Sequence, residues 1–152
     1  MSSRDISELH PVVRAKCEAH MKACAAAGMP IRITATYRSV AEQNALYAQG
    51  RSKPGKIVTN AKGGTSYHNF RLAYDGVPEK LLALDNWGDN KKDQAVANAA
   101  WALYGKLAKE QGLEWGGEWR TIKDRPHCQW TGGLTLAQLI QGAKIPGDTR
   151  MA

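Results

Sequence analysis

Two short stretches hold the side chains of this sequence best suited to chemistry. The first runs Ser66-Tyr67-His68-Asn69-Phe70-Arg71-Leu72-Ala73-Tyr74-Asp75, and the second is Asp124-Arg125-Pro126-His127. Together they offer two imidazoles and a carboxylate, with a second carboxylate beside the last imidazole. Neutral imidazole and carboxylate both bind Zn(II), at about 2.0–2.2 Å. Three protein ligands, an open position for water and a base to manage its proton make up a catalytic zinc site. His68, Asp75 and His127 can supply the three ligands if the loop end folds back toward the strand that carries Asp75. Asp124 can serve as the base if the segment around Pro126 bends, because that proline excludes a regular helix there. Cys128 follows His127 directly, but in an extended segment its side chain faces the other way. No tight metal spacing such as H-E-x-x-H occurs, so the residues alone leave a metal site and a chance co-occurrence both open.

The elements that must position these groups can be read from periodicity and capping. Residues 11–27 read as a helix, with Pro11 at its first turn, Gly28 at its C-terminal cap, and Val13, Cys17, Met21 and Cys24 as its buried stripe. His20 lies beside that stripe and reads as a packed or surface histidine, not a ligand. Ile31 to Thr36 alternates and is β-branched, as a strand should be. Ser39 and Glu42 form a capping box that starts a helix ending near Gln49. Arg38 therefore sits at a strand-to-helix junction, where it is either a surface cation or a group able to hold a substrate oxygen. Residues 50–66 read as a long functional loop delivering the chain to His68. A strand over Leu72–Val77 would place Arg71, Ala73, Asp75 and Val77 on one face. Residues 78–92 read as irregular. Residues 93–111 read as a helix with Val96, Ala100, Leu103, Tyr104 and Leu107 on its apolar face. Leu113 to Trp119 reads as strand, tight turn, strand, and His127 to Trp130 as another strand. Thr135 and Gln138 cap a short helix over Leu136–Gln141, and the tail from Ile145 is expected to fray. The pattern implies a single α+β domain with a small, mostly antiparallel sheet flanked by helices.

Composition bounds the partners. The net charge of +7, from 21 basic and 14 acidic residues, favours an anionic partner such as nucleic acid, a membrane surface or the bacterial cell wall. The basic residues are scattered, with no block of five, which argues against nucleic acid. No apolar run reaches the roughly 18 residues of a membrane span, so stable membrane insertion is not expected. The N-terminus lacks the apolar core of a signal peptide, which implies synthesis in a cytoplasm. The three cysteines, Cys17, Cys24 and Cys128, suggest a reduced protein. On one helix, Cys17 and Cys24 would stand about 10.5 Å apart, too far to bridge.

The chain resembles the VanY-like zinc metallopeptidases, a family of D-alanyl-D-alanine carboxypeptidases and L-alanyl-D-glutamate endopeptidases, and most of all their phage endolysin branch. Ser66, His68, Ala73 and Asp75 match S-x-H-x-x-G-x-A-x-D, and Asp124 and His127 match the downstream acidic-x-x-His. Tyr37-Arg38-Ser39 with Gln43 matches Y-R-S-x-x-x-Q. Gln49-Gly50-Arg51, Pro54-Gly55, Val58-Thr59 and Trp115-Gly116-Gly117 resemble the endolysin branch. The resemblance spans about residues 30–130 and implies a hedgehog/D-Ala-D-Ala-peptidase-like fold. It implies His68, Asp75 and His127 as Zn(II) ligands, Asp124 as catalytic base, Arg38 as the group steadying substrate or transition state, and Ser66 as a polar substrate contact. The implied activity is hydrolysis of the L-Ala–D-Glu bond of peptidoglycan. D-Ala-D-Ala trimming and zinc-dependent wall binding without catalysis are the alternatives. A monomer made in the host cytoplasm and released to the wall through a holin-type lesion is expected. The sequence departs from the family pattern at Arg71, where the family has glycine, and at Cys128, where it has an aromatic.

Overall fold

A computed structural model describes residues 2–148 and 150. Helix α1 (Pro11–Ala26) leads to β1 (Ile31–Ala35), α2 (Val40–Ala48), a 3-10 turn (Tyr67–Phe70) and β2 (Ala73–Pro78). A short α3 (Glu79–Leu82) and a 3-10 turn (Asp85–Gly88) precede the long α4 (Gln94–Glu110). Then come β3 (Glu114–Trp115), a 3-10 turn (Gly116–Glu118), β4 (His127–Gln129) and α5 (Leu136–Ile140). The four strands form one antiparallel sheet in the order β1-β2-β4-β3. This is the expected α+β arrangement.

Helices α1 and α4 pack on the sheet face that carries Tyr74 and Cys128. His20 of α1, fully buried, joins the layers: its Nε2 donates to the Tyr104 carbonyl at 2.9 Å, and its Nδ1 accepts from the Tyr74 hydroxyl at 2.7 Å. Burial drops its pKa to about 4, so it stays neutral as a core residue. The Tyr104 hydroxyl donates to the Pro126 carbonyl at 2.6 Å, which also accepts from the Gly76 amide at 3.1 Å. The entry to β4 is thereby tied to both α4 and β2. Cys128 belongs to this core, with Sγ 3.5 Å from the Tyr104 hydroxyl, so it faces away from His127.

Several sequence-level expectations need correction. Val96 is half exposed, and the buried face of α4 is Ala97, Ala100, Trp101, Tyr104, Gly105 and Ala108. Small residues let the helix approach closely: a Cβ on Gly105 would lie 2.2 Å from the Trp115 ring. Residues 78–92 contain α3 and a 3-10 turn. Trp115 leads into a 3-10 turn, and no second strand follows over 116–119. The tail from Ile145 is docked as far as it is described. The buried His10 ring uses Nδ1 to accept from the Val12 amide, capping α1, so its Nε2 is left to donate to the carbonyls of Ile145 (3.3 Å) and Pro146 (3.1 Å). Arg150 donates to the Ser7 and Leu9 carbonyls. Among the described residues no helix is long and apolar enough to cross a membrane.

Candidate active site

On the sheet face that carries Asp75 and His127, loops together with Leu46 of α2 and Leu136 of α5 enclose a cleft of about 480 Å³. Arg38, Ser66, His68, Asp75, Trp119, Asp124 and His127 are among the residues lining it. All six residues singled out from the sequence therefore line one cavity, and Trp119 adds a wall that packs 5.0 Å from the His127 ring.

Each group arrives by a definable route. Ser66 caps the 3-10 turn that presents His68, its Oγ accepting from the His68 amide at 3.3 Å, while Asn69 closes the reciprocal half of the box. Asp75 sits on β2 directly opposite His127 of β4, so both side chains project from the same face. Asp124 gets the bend that Pro126 requires from a turn: its carbonyl accepts from the His127 amide at 3.2 Å, and its own amide donates to the Gly116 carbonyl at 2.9 Å. Arg38 precedes the N-cap of α2. Its Nε donates to Ser2 Oγ and one terminal nitrogen to Gln43 Oε1, leaving the other 3.9 Å from Asp75 Oδ2.

His68, Asp75 and His127 each bring one donor atom to within 4.8 Å of the other two. The donor chemistry fits a cation. His68 Nδ1 lies 2.8 Å from the Thr36 carbonyl, which can only accept, so that nitrogen carries the hydrogen and Nε2 is left with its lone pair. This Nε2 stands 3.3 Å from Asp75 Oδ1, and His127 Nδ1 stands 3.5 Å from the same oxygen. Electron-rich atoms converging on one point need either a proton or a metal between them. Without a metal the protons respond accordingly. Burial alone would raise the Asp75 pKa, but the His68 charge and hydrogen bonds from both imidazoles hold it far below the carboxylate range. For His127, burial opposes the charged form, yet hydrogen bonding to Asp75 and its negative charge push the pKa up. Asp124 is raised, first by burial and then by the Asp75 charge, against the pull of His127, His68 and Arg38. Its side chain remains 45% exposed, so a substrate can reach it.

Arg71 does not share the Asp75 face. It adopts a left-handed conformation (φ 65°) as the cap of the 3-10 turn, and its guanidinium lies over the Tyr37 ring and pairs with Glu8. The family glycine therefore answers to a backbone angle, which arginine here tolerates. Sequence reasoning gave no role to Gly116 or Trp115. A Cβ on Gly116 would sit 2.3 Å from the Asp124 carbonyl oxygen, and Trp115 Nε1 donates to the Arg125 carbonyl at 2.7 Å. The Trp-Gly-Gly run was the available signal, but it names no contact.

Comparison with known proteins follows the same lines. Residues 59–130 match a family model described as D-alanyl-D-alanine carboxypeptidase. The chain is 41% identical over 123 residues to the peptidoglycan L-alanyl-D-glutamate endopeptidase CwlK of Bacillus subtilis (strain 168), covering 81% of this chain and 74% of that one. It is 31% identical over 103 residues to the L-alanyl-D-glutamate peptidase of Listeria phage A118, covering 68% of this chain but only 31% of that longer protein. Among solved structures, the vancomycin resistance D,D-pentapeptidase VanY in complex with Zn(II) shares the fold, with a TM-score of 0.57 at 14% identity over 88% of this chain and 78% of that one.

Proposed function

The chain belongs to the VanY-like family of D-alanyl-D-alanine carboxypeptidases and L-alanyl-D-glutamate endopeptidases, and from that premise we propose that it is a zinc-dependent endopeptidase cutting the L-Ala–D-Glu bond of peptidoglycan. The observation that carries this reading is the convergence of His68 Nε2, Asp75 and His127 Nδ1 in a cleft that also holds Asp124 and Arg38. The 41% identity to an endopeptidase named for that bond supports its specificity.

His68, Asp75 and His127 would hold the zinc ion, which when bound polarises the scissile carbonyl and makes water a better nucleophile. Asp124 accepts a proton from the attacking water and returns it to the leaving amine, a role suited to an acid whose pKa is raised and whose side chain reaches the cleft. Arg38, fixed by Ser2 and Gln43, offers its remaining terminal nitrogen to the carbonyl oxygen as negative charge develops there. The Ser66 hydroxyl lines the cleft and can still donate to substrate while it caps the turn. The catalytic domain acts on the wall as a monomer, and its charge of +7 favours contact with an anionic polymer. Similarity to a phage peptidase supports a part in host lysis.

D-Ala-D-Ala carboxypeptidase activity is the second reading, favoured by the description of the matching family model. Digestion of purified sacculi, with and without a chelator, followed by mass spectrometry separates the two. A new D-Glu amino terminus that disappears on chelation is expected. Released D-Ala alone would replace the proposal with the second reading, and chelator-resistant product would remove the metal from it.

A further inference from the structure

Behind His127 lies a polar chain that the catalytic reading does not use. His127 Nε2 is 2.7 Å from Gln129 Oε1, and Gln129 Nε2 is 2.9 Å from Glu114 Oε2 on the neighbouring strand β3. Glu114 and Gln129 are paired in the β3–β4 register, so the sheet itself holds the second contact. Gln129 is buried, at 8% exposure, and Glu114 is exposed.

The direction of this chain follows from which groups can donate. An ionised carboxylate only accepts, so the Gln129 atom facing Glu114 must be the amide nitrogen. The amide is planar, so the atom facing His127 must be its oxygen. That oxygen also only accepts, so His127 Nε2 must carry the hydrogen. Nδ1 is then the ring atom with a lone pair free for a metal, and it is the one that faces Asp75, 3.5 Å from Oδ1. The Thr36 carbonyl does the same for His68 in a single step, from the backbone. For His127 the job is done by two side chains, and the outer one lies outside the cleft.

We propose that Gln129 and Glu114 are positioning residues for metal binding: Glu114 fixes the orientation of the Gln129 amide, and Gln129 holds His127 in the tautomer and ring orientation that present Nδ1 to the ion. This rests on the zinc reading of the site. It adds a testable claim about which ring nitrogen binds and about two residues that supply no metal ligand, Gln129 at the cleft wall and Glu114 outside it.

The test is zinc affinity, measured by chelator competition on the full chain, for four proteins. Gln129→Met keeps volume but removes the acceptor, and should weaken zinc binding by roughly 10–100-fold, the range for loss of such an outer partner. Glu114→Gln should weaken it less, because two amides can still pair, though in either orientation. The double exchange Glu114→Gln with Gln129→Glu reverses the polarity of the outer link while keeping an acceptor at His127, and should recover most of the affinity. A role in packing alone predicts no such recovery. Affinity of Gln129→Met within the roughly 10-fold lower bound of the parent would overturn the proposal, and so would failure of the folded double variant to recover. If Gln129→Met does not fold, NMR of the zinc-loaded parent decides. A slowly exchanging hydrogen on His127 Nε2 with metal on Nδ1 supports the proposal, and metal on Nε2 overturns it. A parent that binds no zinc defeats the metal reading itself, which is a different result from a parent and variant that bind equally.

Discussion

Replacing Asp124 by asparagine separates chemistry from structure more cleanly than any other change at this site. Asparagine has the same shape but cannot accept the proton of the attacking water. General acid–base groups contribute about 10²–10⁴ in rate, so kcat should fall by that factor, about 2.7–5.4 kcal/mol on the barrier at 1.36 kcal/mol per tenfold. Stability should respond in the opposite sense or not at all. The carboxylate is 45% exposed, its nearest ion-pair partner is His127 Nδ1 at 4.0 Å, and the Asp75 charge helps keep its pKa above the usual value. An acid with a raised pKa in the folded state has its charged form disfavoured by folding, so a neutral amide relieves a small penalty. The melting transition should therefore stay within the range of about ±0.5 kcal/mol typical of such positions, or rise slightly. Zinc affinity should fall little, since a negative charge is lost near the donors but no donor atom is removed. The assay is release of muropeptide product at saturating zinc, alongside thermal melting and zinc titration of the same sample. A rate within tenfold of the parent with zinc bound would refute the role of Asp124 as base. A matching loss of zinc affinity would recast it as part of the metal site.

Three further outcomes are expected. Gly116→Ala should push the 124–127 turn outward, because the new Cβ would meet the Asp124 carbonyl, a backbone atom, at 2.3 Å; kcat should drop with zinc still bound and stability should fall by about 1–3 kcal/mol, as melting and kinetics together would show. Arg71→Gly should leave kcat unchanged and stability within about 1 kcal/mol, since relief of the left-handed angle (φ 65°) offsets loss of the Glu8 pair and the Tyr37 contact; a tenfold change in kcat would return Arg71 to the site. The metal-free protein should lose stability as pH rises above about 6.5. His127 has a raised folded pKa, so its charged form stabilises fully below the unfolded value and that stabilisation is lost as pH climbs through the folded one. Asp75 has a lowered folded pKa, so its contribution is present above about 3.9 and fails only in strong acid. The zinc-loaded protein should show no such decline, because the ion replaces the proton; melting curves in chelator and in zinc across that range check it, and a metal-free curve rising with pH would contradict the sign.

How much could be read beforehand depended on whether the cause was local. Ser39 and Glu42 lie three apart, and their capping box is in place as a local pattern should be. His68, Asp75 and His127 were recognisable by residue type and resemblance, although nothing in their spacing of seven and fifty-two positions dictates that they meet. What escaped the sequence acts across distance. His10 looks like any polar residue before a helix, yet its second nitrogen holds a carbonyl 135 residues away. Val96 fits a helical repeat, but α4 turns its alanines inward and sets Gly105 against the Trp115 ring. Gly116 and Gln129 carry no chemistry of their own. Their importance lies in the atom that approaches each of them, and a sequence does not display that.

The sheet register links these observations. Asp75 is opposite Ala35 on one side and His127 on the other, and the Thr36 carbonyl that orients His68 follows Ala35 directly. Two donors therefore lie side by side on β2 and β4, and the third, on the 67–70 turn, is anchored to the chain just past the end of β1. Because side chains alternate, a slip of β4 by one residue would bring Cys128 beside Asp75 and send His127 into the tyrosine layer. The Pro126 carbonyl opposes that slip at the entry to β4, accepting from Gly76 of β2 and Tyr104 of α4 together. Gln129 opposes it at the far end through Glu114. An ion held by one donor from the 67–70 turn, one from β2 and one from β4 would join the same three segments from the cleft side. Metal binding and strand pairing then reinforce each other, so a change that loosens the register should weaken zinc binding even where it touches no ligand.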